Sequence, residues 1–308
     1  MKEELIIIGG GIAGVSCALY AKRAGLQPVI FEKSALGGQL NYINYVDNYP
    51  GVKLGTRGGE FLNILGSSLK ELDIKVIEEE VTKVTQKEER INVYVNKGEY
   101  EAFSLVIATG ASFRRLEVEG EEEFIGRGVS WCAVCDGYFF KGKEVVVVGG
   151  GNIAVEDALY LSSICKKIYL IHRRDKLRAL DYLQKEVFKK ENIKILWNST
   201  VKKIRGKDFV EEVVIENNKE NKIDTLKVNA VFIAIGITPN TQIYRGLIDM
   251  NEEGFIITDE NMATSSPYIY ACGDCRRRPL RQLITAAGEG AIAALSVYRQ
   301  LKGSYVSY

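Results

Sequence analysis

Short, uniformly apolar runs recur along the chain, and each ends in a glycine turn. Leu5-Ile-Ile-Ile leads into Gly9-Gly-Gly-Ile-Ala-Gly14 and a helix-like stretch to Arg23. Val145-Val-Val-Val repeats the layout, leading into Gly149-Gly-Gly-Asn-Ile-Ala154 and a helix-like stretch to about Ser163. Runs this short, β-branched and free of polar alternation suit parallel strands covered on both faces. Val106-Ile-Ala-Thr-Gly110, Val231-Phe-Ile-Ala-Ile-Gly236 and Tyr268-Ile-Tyr-Ala-Cys-Gly-Asp274 read as further buried strands ending in turns, and Thr285 to Leu301 reads as a helix. Ile74–Val84 and Ile91–Val95 instead alternate apolar with polar and are expected to be antiparallel strands.

Two strand–glycine–helix units predict an α/β fold with two three-layer, Rossmann-like dinucleotide-binding domains. The 308 residues suit two domains at roughly 150 each. The simplest topology inserts the second domain, residues 113–240, into the first. The first is then 1–112 plus 241–308, and the two chain crossings form a hinge.

Composition narrows the partners. Lys and Arg number 41 against 40 for Asp and Glu, a net charge of +1, which gives no reason to expect nucleic acid or an anionic membrane. Leu5 to Ala21 carries no charge, but Gly9, Gly10, Gly11 and Gly14 break it. It falls short of the about 20 apolar residues a membrane helix needs. The start, Met-Lys-Glu-Glu, lacks the basic region of a secretory signal, so a cytoplasmic protein is expected.

Gly9, Gly11 and Gly14 have the G-x-G-x-x-G spacing that lets a backbone turn approach a pyrophosphate at a helix N-terminus. The next strand, Pro28-Val-Ile-Phe, ends in Glu32, an acid placed to accept hydrogen bonds from a ribose diol. Gly149, Gly151 and Ala154 form the permitted G-x-G-x-x-A variant. There the next strand ends not in an acid but in His172-Arg173-Arg174, with Arg178 close behind. Guanidinium groups bind phosphate in bidentate fashion, so this pocket reads as one for a 2′-phosphate, that is, for NADPH. His172, the chain's one histidine, sits in this cluster and is not assigned general-base catalysis.

Six cysteines in a cytosolic chain of this size are not a structural disulfide framework. Cys132-Ala-Val-Cys135 is a C-x-x-C, a spacing that closes a small reducible ring and favours a lowered thiol pKa. Asp136 stands beside it, where it can carry protons to and from a departing thiolate. Zinc would need a second pair about 15–20 residues away. The only other pair, Cys272 and Cys275, lies far downstream, so no metal is expected. Cys272 and Cys275 flank Gly273-Asp274; a second redox pair is one reading, but a turn that positions Asp274 against a ligand explains the local sequence better. Cys17 and Cys165 fall among Ala and Leu and read as small buried apolar side chains.

These segments, together with Gly37-Gly-Gln-Leu40, Asp47-Asn-Tyr-Pro-Gly51, Gly236-Ile-Thr-Pro-Asn240 and Arg281-Gln-Leu-Ile-Thr-Ala-Ala-Gly288, make the chain resemble the low-molecular-weight, bacterial-type thioredoxin reductases over essentially its whole length. The resemblance implies FAD in the discontinuous domain, NADPH in the inserted one, and a homodimer. It places Gly38, Gln39, Asn48, Thr109 and Gly110 in the flavin site, with Asp274, Arg281 and Gln282 holding ribityl, pyrophosphate or ring. It places Asn152 in the nicotinamide nucleotide site. It makes Cys135 the thiol nearest the flavin and Cys132 the one that attacks a thioredoxin, or a thioredoxin-like or glutaredoxin-like protein.

The resemblance leaves three rivals. The reductase subunit of a peroxidase system carries an extra N-terminal redox domain, whereas this sequence opens on the first nucleotide-binding strand. A ferredoxin-driven reductase would dock its acidic donor on Arg276-Arg277-Arg278. A non-enzymatic redox sensor would hold the same cysteine pair and reduce nothing.

Overall fold

The computed structural model describes residues 2–43 and 45–303. The last residues of the expected third segment, 304–308, lie outside the described residues. The chain opens with β1 (Lys2–Ile8), α1 (Ile12–Arg23), β2 (Pro28–Glu32), α2 (Gly58–Glu71) and β3 (Lys75–Glu78). Then follow β4 (Val81–Lys87), β5 (Arg90–Val95), β6 (Gly98–Ile107) and β7 (Ala111–Phe113). The inserted stretch contains β8 (Val129–Ser130), α3 (Ala133–Asp136), β9 (Glu144–Val148), α4 (Asn152–Ser162), β10 (Lys167–Ile171), α5 (Asp181–Phe188) and β11 (Ile193–Leu196). It continues through β12 (Ser199–Gly206), β13 (Val210–Asn217), β14 (Lys222–Lys227) and β15 (Ala230–Ile233). The chain returns through β16 (Ile237–Pro239) and ends in β17 (Ile269–Ala271) and α6 (Leu283–Lys302).

In the outer unit, β3-β2-β1-β6 run parallel, and β17 also lies parallel against the end of β6. The alternation of side chains along a strand divides β1 between two cores. Leu5 and Ile7 pack with α1 and α6, whereas Ile6 and Ile8 pack with Val84, Ile91 and Val93 of the antiparallel strands. Burial on both faces explains why β1 shows no polar alternation. The inserted unit repeats the arrangement, with a parallel sheet in the order β11-β10-β9-β15-β8. Val145 and Val147 face the helices; Val146 and Val148 face the antiparallel β12-β13-β14.

Two expectations need correction. Ile74–Val84 is not one antiparallel strand: β3 adds in parallel to the edge of the main sheet, and only β4 pairs antiparallel with β5. Alternation reports one-sided burial, which an edge strand of either direction can show. The two compact units are Met1–Ser112 with Thr238–Tyr308, and Phe113–Ile237. The inserted unit therefore ends before 240. Asn240 belongs to the outer unit because its side chain donates to Thr109 O at 3.0 Å, its amide to Gly110 O at 3.0 Å, and its carbonyl accepts the Thr109 hydroxyl at 2.7 Å.

Candidate active site and nucleotide sites

The inserted unit carries a disulfide between Cys132 and Cys135, whose Cα atoms lie 5.3 Å apart. β8 delivers the chain to Cys132, which caps the single turn of α3, and the Cys135 amide donates to Cys132 Sγ at 3.2 Å. A backbone N–H aimed at sulfur stabilises a thiolate there once the bond opens. Both cysteines are half-buried. Ser130, which the sequence did not single out, ties the site together. Its hydroxyl accepts the Cys132 amide at 3.0 Å and donates to Asp136 Oδ2 at 2.6 Å. Burial raises the Asp136 pKa above the ordinary carboxyl value, and the Ser130 hydrogen bond opposes that shift. The carboxyl can thus hold a proton beside the pair. Val134 and Tyr138, exposed on either side of Cys135, leave apolar surface next to the disulfide.

The other four cysteines are free and buried. Cys272 and Cys275 are both fully buried, and the Cys275 thiol donates to carbonyls of Cys272 and Ile107. Burial pushes the Cys275 pKa up to about 12 and that of Cys272 well above its usual value, so both stay protonated. Burial also raises the pKa of Cys17 and, to about 11, that of Cys165. Thiols held protonated are poor nucleophiles, which leaves Cys132 and Cys135 as the redox pair.

In the outer unit the glycine turn after β1 leaves its own backbone room to approach a ligand. A Cβ at Gly14 would stand 1.9 Å from Gly9 O, so the helix meets the turn this closely only because Gly14 has no side chain. A Cβ at Gly11 would meet nothing within 4 Å: the space in front of the turn is open. That combination fits a pyrophosphate at the start of α1. Glu32 lies beneath the same turn, 8% exposed, accepting the Gly10 amide at 2.7 Å and the Ser34 amide at 3.0 Å. Gly38 packs beside Gly11, and Gln39 donates to Ala111 O at 2.8 Å, which brings the 37–39 loop to the end of β6 near Thr109 and Gly110. Asn48 donates to the Gln282 side chain at 3.0 Å.

Asp274 sits in the turn after β17, where Gly273 packs against Ala13 of α1. The turn is clamped by Glu289 of α6. That carboxylate accepts the Gly273 amide at 2.8 Å, Arg276 at 2.6 Å and Arg278 at 3.2 Å. Arg278 also reaches Asp274 at 3.4 Å. Burial raises the Asp274 pKa, and Arg278 and Arg281 pull it back. Arg281 lies over the Phe255 ring. The run Arg276-Arg277-Arg278 is therefore no basic docking patch. Arg276 is spent in an ion pair, Arg278 is 8% exposed, and only Arg277 faces solvent.

In the inserted unit the second glycine turn is likewise open at Gly151, where a Cβ would meet nothing within 4 Å. Arg173, Arg174 and Arg178 are exposed on the loop after β10. His172 does not join them at the surface. It is 4% exposed, its ring lies under Gly150, and Nε2 pairs with Lys176 O at 3.0 Å. Burial, with the three arginines adding to it, lowers its pKa, so His172 is a neutral support of the loop rather than part of its charge. Asn152 is also engaged, accepting the Leu180 amide at 2.9 Å.

A family model described as pyridine nucleotide-disulphide oxidoreductase matches residues 3–290. A thioredoxin reductase of Bacillus subtilis is 41% identical over 302 residues, covering 96% of this chain and 95% of its own. The solved thioredoxin reductase of Streptococcus pyogenes superposes with a TM-score of 0.94 at 42% identity, over 98% of this chain and 99% of its own. That of Giardia duodenalis gives a TM-score of 0.92 at 35% identity, over 98% and 99%.

Proposed function

The chain belongs to the pyridine nucleotide-disulphide oxidoreductase family, and on that premise we propose that it takes electrons from NADPH and delivers them through FAD and Cys132–Cys135 to the disulfide of a thioredoxin-like protein. The coarser statement follows from the relatives: this is a flavin- and pyridine-nucleotide-dependent oxidoreductase of the thioredoxin reductase group. The observation that carries the finer one is the Cys132–Cys135 disulfide, half-buried beside a carboxyl whose pKa is raised, while every other cysteine is buried and protonated.

Gly9, Gly11, Gly14 and Glu32 would hold the adenosine and pyrophosphate of FAD. Gly38, Gln39, Asn48, Thr109, Gly110, Asp274, Arg281 and Gln282 would line the rest. Gly149, Gly151, Arg173, Arg174 and Arg178 would hold NADPH. The flavin, when bound, supplies the two-electron chemistry that links a nicotinamide to a disulfide. The chain's own residues do the exchange. The Cys132 thiolate attacks one sulfur of the partner disulfide, and the partner's other sulfur leaves as thiolate. Cys135 then attacks Cys132 Sγ, restoring the Cys132–Cys135 bond and expelling the partner's second thiolate. Asp136 takes the Cys135 proton or returns one to a departing thiolate. Val134 and Tyr138 offer the apolar surface against which a small partner would sit. A homodimer is part of the proposal. Among the described residues no helix is long and apolar enough to cross a membrane.

A ferredoxin-driven cycle loses its main support, because Arg276 and Arg278 are consumed by Glu289. Anaerobic titration of the purified protein with NADPH, NADH and reduced ferredoxin, watching the flavin bleach, tests the donor. Stoichiometric bleaching by NADPH at concentrations where NADH is slow supports the proposal. Bleaching by ferredoxin alone overturns it.

A further inference from the structure

The loop carrying the three arginines is latched to the glycine turn at its far limb. The Arg178 amide donates to Gly150 O at 2.7 Å, and the Leu180 amide donates to Asn152 Oδ1 at 2.9 Å. His172 begins the loop from beneath: a Cβ on Gly150 would lie 2.2 Å from His172 Nδ1, so the ring and the turn are in direct contact. Its Nε2 pairs with Lys176 O inside the loop. Buried Leu177 and Ala179 fix the stretch between to the core. Arg173, Arg174 and Arg178 point outward on this frame, and none of them enters an ion pair among the described residues.

We infer that Asn152 is a positioning residue for nucleotide choice: its side chain holds the arginine loop in register with the glycine turn, so that the guanidinium groups meet a 2′-phosphate on the ribose. The inference rests on the reading of this loop as a 2′-phosphate pocket. It differs from a direct contact of Asn152 with the nucleotide, which the resemblance alone would suggest. Its Oδ1 is already committed to the protein, and among the described residues Asn152 is the one side chain that ties the far limb to the glycine turn, Gln184 holding Ala179 from the following helix instead. A group that binds pyrophosphate acts equally on NADP+ and NAD+. A group that holds the arginine loop acts on the ratio between them, because only NADP+ has the phosphate the loop would grip. Loss of one neutral hydrogen bond of this kind corresponds to about a threefold to tenfold change.

The test uses oxidised holoprotein and calorimetric titration with NADP+ and NAD+, so that no turnover enters. Asn152→Ala should lower the ratio of NADP+ to NAD+ affinity by about threefold to tenfold and speed hydrogen exchange at the Leu180 amide. Asn152→Asp keeps an acceptor for that amide. Exchange at the Leu180 amide should then stay at the wild-type rate, which separates loss of the latch from loss of a neutral amide. Arg173→Ala with Arg174→Ala serves as the reference. If that double variant collapses the ratio while Asn152→Ala lowers both affinities equally, Asn152 is a pyrophosphate ligand and the inference fails, with the 2′-phosphate reading intact. If the double variant leaves the ratio unchanged, the 2′-phosphate reading itself fails and takes the inference with it.

Discussion

Ser130 and Asp136 share a 2.6 Å hydrogen bond beside the disulfide, and the same hydroxyl accepts the Cys132 amide. Burial raises the Asp136 pKa while the Ser130 hydroxyl lowers it. Protonated Asp136 is the form that donates, so the rate of thiolate release should fall as pH rises through that pKa. Ser130→Ala removes the lowering influence and should shift this limb of the pH–rate profile to higher pH. Asp136→Asn should abolish the limb and slow partner reduction by about 10²-fold near neutral pH. Steady-state partner reduction across pH reads both; an unshifted limb in Ser130→Ala contradicts the assignment.

Replacing Arg173 and Arg174 together by Ala should weaken NADPH far more than NADH. Each charged hydrogen bond lost costs about 1.5–3 kcal/mol, so the pair should cost on the order of a hundredfold or more. The KM for each nucleotide measures it.

Asp157 has no hydrogen-bond or ion-pair partner among the described residues, and burial, with Glu156 adding to it, raises its pKa to about 7. In the unfolded chain an aspartate titrates near about 3.9. Between those values the folded state keeps a proton that the unfolded state has lost, so Asp157 costs stability increasingly as pH rises from about 4 to 7. Asp157→Asn should therefore stabilise the protein by about 1–3 kcal/mol at pH 8, and hardly at all at about pH 4. Denaturant melts at the two pH values decide; an equal effect at both contradicts the titration.

Glu289 holds Gly273, Arg276 and Arg278 at once. Glu289→Ala leaves two largely buried guanidinium groups without this partner and should cost about 3–5 kcal/mol. It should also weaken flavin retention, because the clamped turn carries Asp274. Chemical denaturation and FAD titration of the apoprotein measure the two effects separately. A variant that melts like the wild type and retains flavin equally well contradicts the clamp.

The parts legible in the sequence are those whose cause is local. A glycine turn after an apolar run announces itself because the positive φ of Gly9 and the close approach at Gly14 exclude side chains within a few residues of the strand. The C-x-x-C is visible for the same reason. What escaped depends on partners far along the chain. Arg276 and Arg278 read as an exposed basic run, since nothing adjacent reveals Glu289 on the next helix. His172 read with its charged neighbours, although its ring turns inward under Gly150. The inserted unit's end was misjudged because Asn240 is held by Thr109 and Gly110, contacts no local pattern encodes. Ser130, the second residue of the two-residue β8 just before the cysteines, carried no signal at all.

The most direct test of the central claim is capture of the exchange intermediate. Cys135→Ser, reduced with dithiothreitol and mixed with an oxidised thioredoxin, should form a stable mixed disulfide, because no second thiol resolves it. Peptide mass spectrometry should find the partner linked to Cys132. Absence of any adduct with an active partner, or an adduct that forms only in Cys132→Ser and sits on Cys135, would contradict the account.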